Sequence, residues 1–233
     1  MLKAWSLAVF LLAGSGWLHA GDSLRDQLAE AAPDANPAVI GLALDAMDCA
    51  TSHGMPASEH LAVIDYSRSS LLPRLWVFDL GQRKLLFREL VAHGRNSGDD
   101  QPNHFSNEDG SLASSLGLFR TLDTYDGGNG YSLRLDGLEP GFNDHALERA
   151  IVMHGAPYVD PDVGRKLGRL GRSWGCPAVA TGVARRLIDS MKNGQFLFSY
   201  YPDPQWLSQS RLLKCTGTLS VARNDRRNSN PIQ

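Results

Sequence analysis

Among the residues able to do covalent chemistry, Cys176 is set apart by its neighbours. It lies in Gly171-Arg172-Ser173-Trp174-Gly175-Cys176-Pro177-Ala178-Val179, between a glycine and a proline. A nucleophilic thiol needs a base that is near in space rather than in sequence, so a histidine delivered by another element is required. His154 is the closest upstream, ending the apolar run Ala150-Ile151-Val152-Met153 just before Gly155. His93-Gly94 has the same local pattern, and position alone does not choose between the two. His104 and His145 fall on loops, and His53 and His60 flank a helix end. Such a pair would perform cysteine acyl transfer. Gly175 lets the backbone approach a substrate, and Pro177 lacks an N–H, which leaves those of Gly175 and Cys176 as natural oxyanion donors. A helix starting near Val179 would further favour the thiolate. The competing reading of Cys176 is an inert buried thiol.

The other cysteines bear on that choice. The three are Cys49, Cys176 and Cys215. In an oxidising compartment an odd count suggests one disulfide and one thiol kept free. A Cys49–Cys215 bridge would tie the N-terminal helix to the C-terminal segment and leave Cys176 unpaired; the alternative is two unrelated buried thiols. There is no Cys-x-x-Cys, no His-Glu-x-x-His and no tight His/Cys cluster in the sequence, so no metal and no cofactor are expected.

Residues 1–20 read as a signal peptide. Lys3 gives a charged start, Trp5 to Ala13 is almost unbroken apolar chain, and Leu18-His19-Ala20 offers a cleavage point before Gly21. The alternative is an uncleaved anchor. No later stretch is long and apolar enough for a transmembrane segment, so an exported protein of the periplasm or cell envelope is expected. With 23 Lys and Arg against 25 Asp and Glu, the net charge of −2 offers no basic face for nucleic acid. The 233 residues suit one sizeable core. The sequence does not speak to oligomeric state.

The elements that must position the pair are mostly strands. Residues 21–60 form an N-terminal helical segment: Ser23 to Glu30 reads as a short amphipathic helix or a loose leader, then Asn36 caps a longer helix with Pro37 in its first turn and Val39 to Met47 at helical spacing. Residues 61–203 turn β-rich. Strands are predicted over Leu61 to Tyr66, Arg74 to Leu80, Lys84 to Val91, Ser114 to Thr121, Tyr131 to Leu135, Ala150 to Met153 and Gln195 to Tyr201, with turns at Gly81-Gln82 and Asp126 to Gly130. His93 to Gly110 is expected to be a long polar surface loop, and Tyr158 to Leu170 a second loop. Val179 to Lys192 is expected to be an amphipathic helix. Residues 204–233 form a C-terminal segment and tail. The fold class is therefore mainly β, a β-rich α+β arrangement.

Met153-His154-Gly155 followed by Ser173-Trp174-Gly175-Cys176-Pro177 resembles the L,D-transpeptidase catalytic domain, or YkuD domain, in its murein L,D-transpeptidase branch. Phe105-Ser106-Asn107, Ser114-Ser115-Leu116-Gly117 and Gly130-Tyr131-Ser132-Leu133 extend the likeness to about Leu61–Tyr201. Well-known members carry a second histidine directly before the Gly-Cys, where this chain has Trp174. The resemblance implies a curved sheet or sandwich with a few short helices. It also implies an enzyme acting on peptidoglycan stem peptides, with Cys176 as nucleophile and His154 as base, the ring oriented by a carbonyl near Gly155. Ser173 would line the pocket or hold the loop. Arg172, Arg149, Arg134 and Tyr131 are the substrate-binding candidates, since guanidinium suits a carboxylate; each arginine reads equally as a surface charge. The product would be a 3–3 cross-link. Alternatives are an L,D-carboxypeptidase or endopeptidase, a lipoprotein-attachment or release enzyme, and a non-catalytic wall-binding module.

Overall fold

A computed structural model describes residues 23–216. The leader read at residues 1–20 and the end of the tail lie outside them. Helix α1 (Leu24–Ala31) opens with a reciprocal cap: the Ser23 hydroxyl accepts from the Asp26 N–H while the Asp26 carboxylate takes the Ser23 N–H. Helix α2 (Pro37–Ser52) starts where Asn36 Oδ1 accepts from the Ala38 N–H, and its residues from Val39 to Ala50 are largely buried.

Nine strands follow: β1 (His60–Asp65), β2 (Leu75–Asp79), β3 (Lys84–Glu89), β4 (Val91–Ala92), β5 (Gly117–Gly127), β6 (Gly130–Gly137), β7 (Val152–Ala156), β8 (Ala178–Ala180) and β9 (Phe196–Tyr200). They form one sheet in the order β3-β2-β1-β9-β5-β6-β7-β8-β4. β1–β9 and β7–β8 are parallel, and the other pairs are antiparallel. The strands at the two ends, β3 and β4, are separated in the chain by Leu90 alone. A sheet whose first and last members are contiguous must curl until its ends approach, and the expected curved, mainly β architecture is what forms.

The side-chain alternation of strands sorts the core into two faces. Leu61, Val63, Trp76, Phe78, Leu118, Phe196 and Phe198 meet α2, Leu28 of α1 and Trp206 of α5 (Pro204–Gln209). Ala62, Ile64, Leu75, Val77, Phe119, Leu133, Leu135 and Leu197 meet Val183, Leu187, Ile188 and Met191 of α4 (Thr181–Met191), and Cys176 belongs to this second cluster. The helical segments on either side of residues 61–203 thus share the first face of the sheet. A disulfide joins Cys49 of α2 to Cys215 at the end of α6 (Arg211–Lys214), with Cα atoms 5.3 Å apart, and Cys176 is the free cysteine. The pairing expected from the odd count is present.

Several local expectations change: the strand expected over Lys84 to Val91 divides at Leu90 into β3 and β4, and the one expected from Ser114 begins at Gly117. The loop expected from Tyr158 to Leu170 contains a helix, α3 (Pro161–Leu167), begun by the Asp160 carboxylate accepting from the Asp162 and Val163 N–H groups and ended by Gly168 at φ 69°. Asp-Pro at its start and Gly at its end are ordinary helix punctuation. The long loop from His93 to Gly110 is anchored rather than free: Ser97 is fully buried, its carbonyl accepts from the Asn103 and His104 N–H groups, and its hydroxyl accepts from the Ser114 N–H. Strand β7 begins at Val152, because Ala150 takes a positive φ of 53° that no strand accommodates. Helix α4 begins at Thr181, with the short strand β8 between it and Cys176.

Candidate active site

The loop that carries Cys176 is built around Gly175. Its φ is +123°, and a Cβ there would stand 2.9 Å from the Ala113 carbonyl oxygen, so both conformation and space require glycine. Ser173 closes the turn: its hydroxyl accepts from the Gly175 N–H at 3.1 Å and donates to the Cys176 carbonyl at 2.6 Å. Ser173 therefore holds the loop, and it occupies the Gly175 N–H that the sequence suggested as an oxyanion donor. With Pro177 lacking an N–H, the Cys176 N–H is the one left from that stretch. The loop is clamped from below as well. The Ser173 N–H donates to the His93 carbonyl, the Arg95 N–H donates to the Ser173 carbonyl, and the Ser114 hydroxyl donates to the Gly175 carbonyl.

The parallel register of β7 and β8 sets His154 opposite Ala178 and so places Cys176 at the level of Val152. The Val152 N–H accordingly points at the Cys176 sulfur, 3.4 Å away, and the thiol faces the Ala150 carbonyl at 3.9 Å. The strained Ala150 backbone is what turns that carbonyl toward the sulfur. Two residues further along β7, His154 Nδ1 lies 3.0 Å from the Gly155 carbonyl. A carbonyl only accepts, so Nδ1 carries the hydrogen and Nε2 is left as the basic nitrogen. Gly155 keeps β7 close to α4, since a Cβ there would meet the Ala184 methyl at 2.8 Å. No hydrogen bond joins the His154 and Cys176 side chains.

Both groups are buried, Cys176 at 8 % exposure and His154 at 4 %. Burial raises the Cys176 thiol, opposed by the Val152 N–H and by the Arg149 charge. Burial lowers the His154 imidazole, opposed by the Gly155 carbonyl. Both shifts favour the uncharged partners, thiol and neutral imidazole. The arrangement can remove a proton from sulfur as it attacks an acyl group.

His93, the other histidine of the same local pattern, has a different job. It is 1 % exposed, and Arg74 Nη2 donates to its Nδ1 at 2.8 Å, which requires an unprotonated nitrogen there. Burial and the Arg74 charge drive its pKa down to about 3. Its Nε2 faces the Gly98 carbonyl at 3.4 Å. His93 is a neutral structural node under the loop. His60 bonds the Ser190 carbonyl, and His53 the Cys49 carbonyl.

The four substrate-binding candidates are all engaged within the chain. Arg172 donates to the Gly98 carbonyl and to Asp99, fastening the loop before Cys176 to the 93–110 segment. Arg149 donates to four acceptors on residues 106–115. Arg134 pairs with Asp123 across the β5–β6 hairpin and stacks on Tyr125. Tyr131 faces α4, where its hydroxyl bonds Asp189 and its ring lies under Arg185. Trp174, by contrast, is 73 % exposed beside the thiol. The Val152 N–H and the Ala150 carbonyl were not legible in the sequence, because backbone groups leave no local signal, and Ser114 stood in a run of the family likeness without a role. A His/Cys cluster does form in space: Cys49, His53 and Cys215 bring ligand-type atoms within 4.8 Å of one another, although both sulfurs are in the disulfide.

The fold and this geometry can now be set beside known proteins. The L,D-transpeptidase catalytic domain family matches residues 31–200, which include both Cys176 and His154. The chain belongs to that family and carries a catalytic domain of the transpeptidase kind. No curated protein matches. Among solved structures, an L,D-transpeptidase from Mycobacterium smegmatis is similar at 15 % identity over 62 % of this chain and 60 % of that one, with a TM-score of 0.40. The L,D-transpeptidase (Yku) from Stackebrandtia nassauensis is similar at 12 % identity over 78 % and 90 % of the two chains, with a TM-score of 0.37. The match thus spans less than two thirds of the Mycobacterium smegmatis protein. Among the described residues, no helix is long and apolar enough to cross a membrane.

Proposed function

We propose that the protein is an exported cysteine acyltransferase that forms 3–3 cross-links between peptidoglycan stem peptides through a Cys176 acyl-enzyme. The observation that carries this reading is the free thiol of Cys176, seated against the Val152 N–H on the strand that also bears His154, while the other two cysteines are bridged. In the first step His154 Nε2 takes the thiol proton as the sulfur attacks the carbonyl of the third, L-centred residue of a stem. The tetrahedral oxyanion is met by the Cys176 N–H. Collapse breaks the amide bond, and His154 returns the proton to the departing D-alanine amine, leaving a thioester. In the second step an amine on the D-centre of a neighbouring stem attacks the thioester, His154 takes its proton, and the new amide forms as the thiol is regenerated. Burial favours the uncharged form of both groups, so in this mechanism proton transfer accompanies attack.

The test is incubation of the purified protein with tetrapeptide muropeptides, with products and intact mass followed together. A cross-linked dimer and a transient Cys176 acyl adduct are expected, both absent in Cys176→Ala and both retained when Cys49 and Cys215 are replaced by serine. Tripeptide without dimer would instead make the acceptor water and the protein a carboxypeptidase. Absence of any Cys176 adduct would leave a wall-binding module.

A further inference from the structure

Burial pushes the Cys176 thiol up, and the Val152 N–H and the Arg149 charge oppose it. From β7 it meets the Val152 N–H, on the strand that also bears His154, whose imidazole burial lowers. Tyr66, just after β1, and Tyr158, after β7, are phenols pushed up to about 12, chiefly by burial and in part by the Cys176 sulfur. Trp174, on the loop itself, carries no charge. Arg172 on that loop is paired with Asp99. Among the described residues, the cation that lowers the Cys176 thiol is Arg149, in the turn before β7.

The geometry around Arg149 is unusually complete. Nη1 donates to the Ser106 carbonyl at 2.8 Å and the Ser115 hydroxyl at 2.6 Å; Nη2 donates to the Ser111 hydroxyl at 2.9 Å and the Ala113 carbonyl at 2.8 Å. All four acceptors are neutral, and Glu108 and Asp109 act on the guanidinium only through space. Ala113 is the residue on which Gly175 rests, and the adjoining Ser114 hydroxyl donates to the Gly175 carbonyl. The residues just after Arg149 supply the Ala150 carbonyl and the Val152 N–H to the sulfur.

We propose that Arg149 is the positioning residue of this site: its fork fixes the Ala113 carbonyl beneath Gly175, and its charge, matched by no bonded carboxylate, stabilises the Cys176 thiolate as it forms. This inference rests on the reading of Cys176 as the nucleophile. A carboxylate-binding role for Arg149 would require its guanidinium to release the 106–115 segment, whereas the positioning role uses every bond as it stands. Lysine could keep the charge but not the planar fork, which separates the two duties experimentally.

The experiment measures iodoacetamide alkylation of Cys176 by intact mass from pH 5 to 10, on the whole protein with its disulfide formed, with muropeptide turnover of the unaltered protein followed in parallel. R149Q removes the charge and keeps amide donors; R149K keeps the charge and loses the fork; R149M is a second neutral variant should R149Q not fold. R149Q is expected to move the alkylation midpoint to higher pH and slow the reaction at pH 7 about tenfold, the equivalent of about one pKa unit. R149K is expected to stay within about threefold of the unaltered protein, although both melt at lower temperature. A neutral variant that is folded by circular dichroism yet has an unmoved pH midpoint would overturn the proposal and leave Arg149 a structural clamp. Normal alkylation without muropeptide turnover in the unaltered protein would instead sink the functional reading and leave the Arg149 result standing.

Discussion

At the scale of single residues, burial is the dominant electrostatic fact of this site. It acts in opposite directions on the two groups of the pair, raising the Cys176 thiol and lowering His154. With the imidazole lowered, the free protein keeps its base deprotonated as pH falls past the ordinary histidine value of about 6.5. The acidic limb of kcat/KM for muropeptide turnover is expected below that value, and a limb at or above it would show that His154 is charged in the free enzyme. His93 makes a stability prediction of the same kind. Its folded pKa of about 3 lies below the unfolded value, so the unfolded chain binds the extra proton, and stability falls as pH drops from about 6.5 toward 3. At pH 5 the loss attributable to His93 is about 2 kcal/mol. Urea unfolding at pH 7 and pH 5 should give a difference that shrinks by that amount in His93→Gln, a residue placed to bond Arg74 through its amide oxygen.

At the scale of elements, β7 is the most constrained piece of the molecule. It carries His154, presents the Val152 N–H to the thiol, pairs with β6 on one side and β8 on the other, and lies under α4 at Gly155. Gly155→Ala would drive a methyl into Ala184 with no flexible side chain to yield. A loss of about 1–3 kcal/mol is expected from such overpacking, together with slower Cys176 chemistry, since the shift displaces His154; denaturant titration and turnover check the two separately. Helix α2 and the C-terminal helices are joined differently, by packing and by the Cys49–Cys215 bridge, which spans 166 residues of sequence. Its removal in the Cys49→Ser, Cys215→Ser double variant is expected to cost roughly 2–5 kcal/mol, read as a lower melting temperature. Cys176 should still be alkylated in that variant, because none of the groups around the sulfur lies on α2 or α6.

At the scale of the whole molecule, residues 61–203 do not close their own core. Trp76, Phe78, Phe196 and Phe198 are covered by α1, α2 and Trp206, all outside that span. A chain cut to 61–203 is therefore expected to expose this face and to bind a hydrophobic dye without a cooperative thermal transition, whereas residues 23–216 melt cooperatively. A cooperative melt of the shorter chain would make the flanking helices dispensable. The sheet itself depends on distant pairings: β1 is bounded by β2, its near neighbour in sequence, and by β9, which arrives from the far end of the chain in parallel.

What the sequence alone determined is local and periodic. The cap at Asn36, the β5–β6 turn, the strand runs of β1 and β2 and the apolar stripe of α4 are each set by side chains within a few positions, where steric preference and hydrogen bonding act directly. The likeness around His154 and Cys176 was legible for the same reason, as a short run of residue types. The odd cysteine count also pointed to the right bridge. Helix α3 was equally legible in Asp160-Pro161 and Gly168, but a loop rich in glycine and charge masked it. What only the tertiary structure decided is which groups share a space. It made His93 a neutral partner of Arg74, although its sequence context matches that of His154. It tied the Gly175 N–H to Ser173, turned the Ala150 carbonyl to the thiol, and gave Arg149, Arg172, Arg134 and Tyr131 partners within the chain. Burial and hydrogen-bond partners are properties of the surroundings, and those surroundings are assembled from segments far apart in the chain, so no local pattern encodes them.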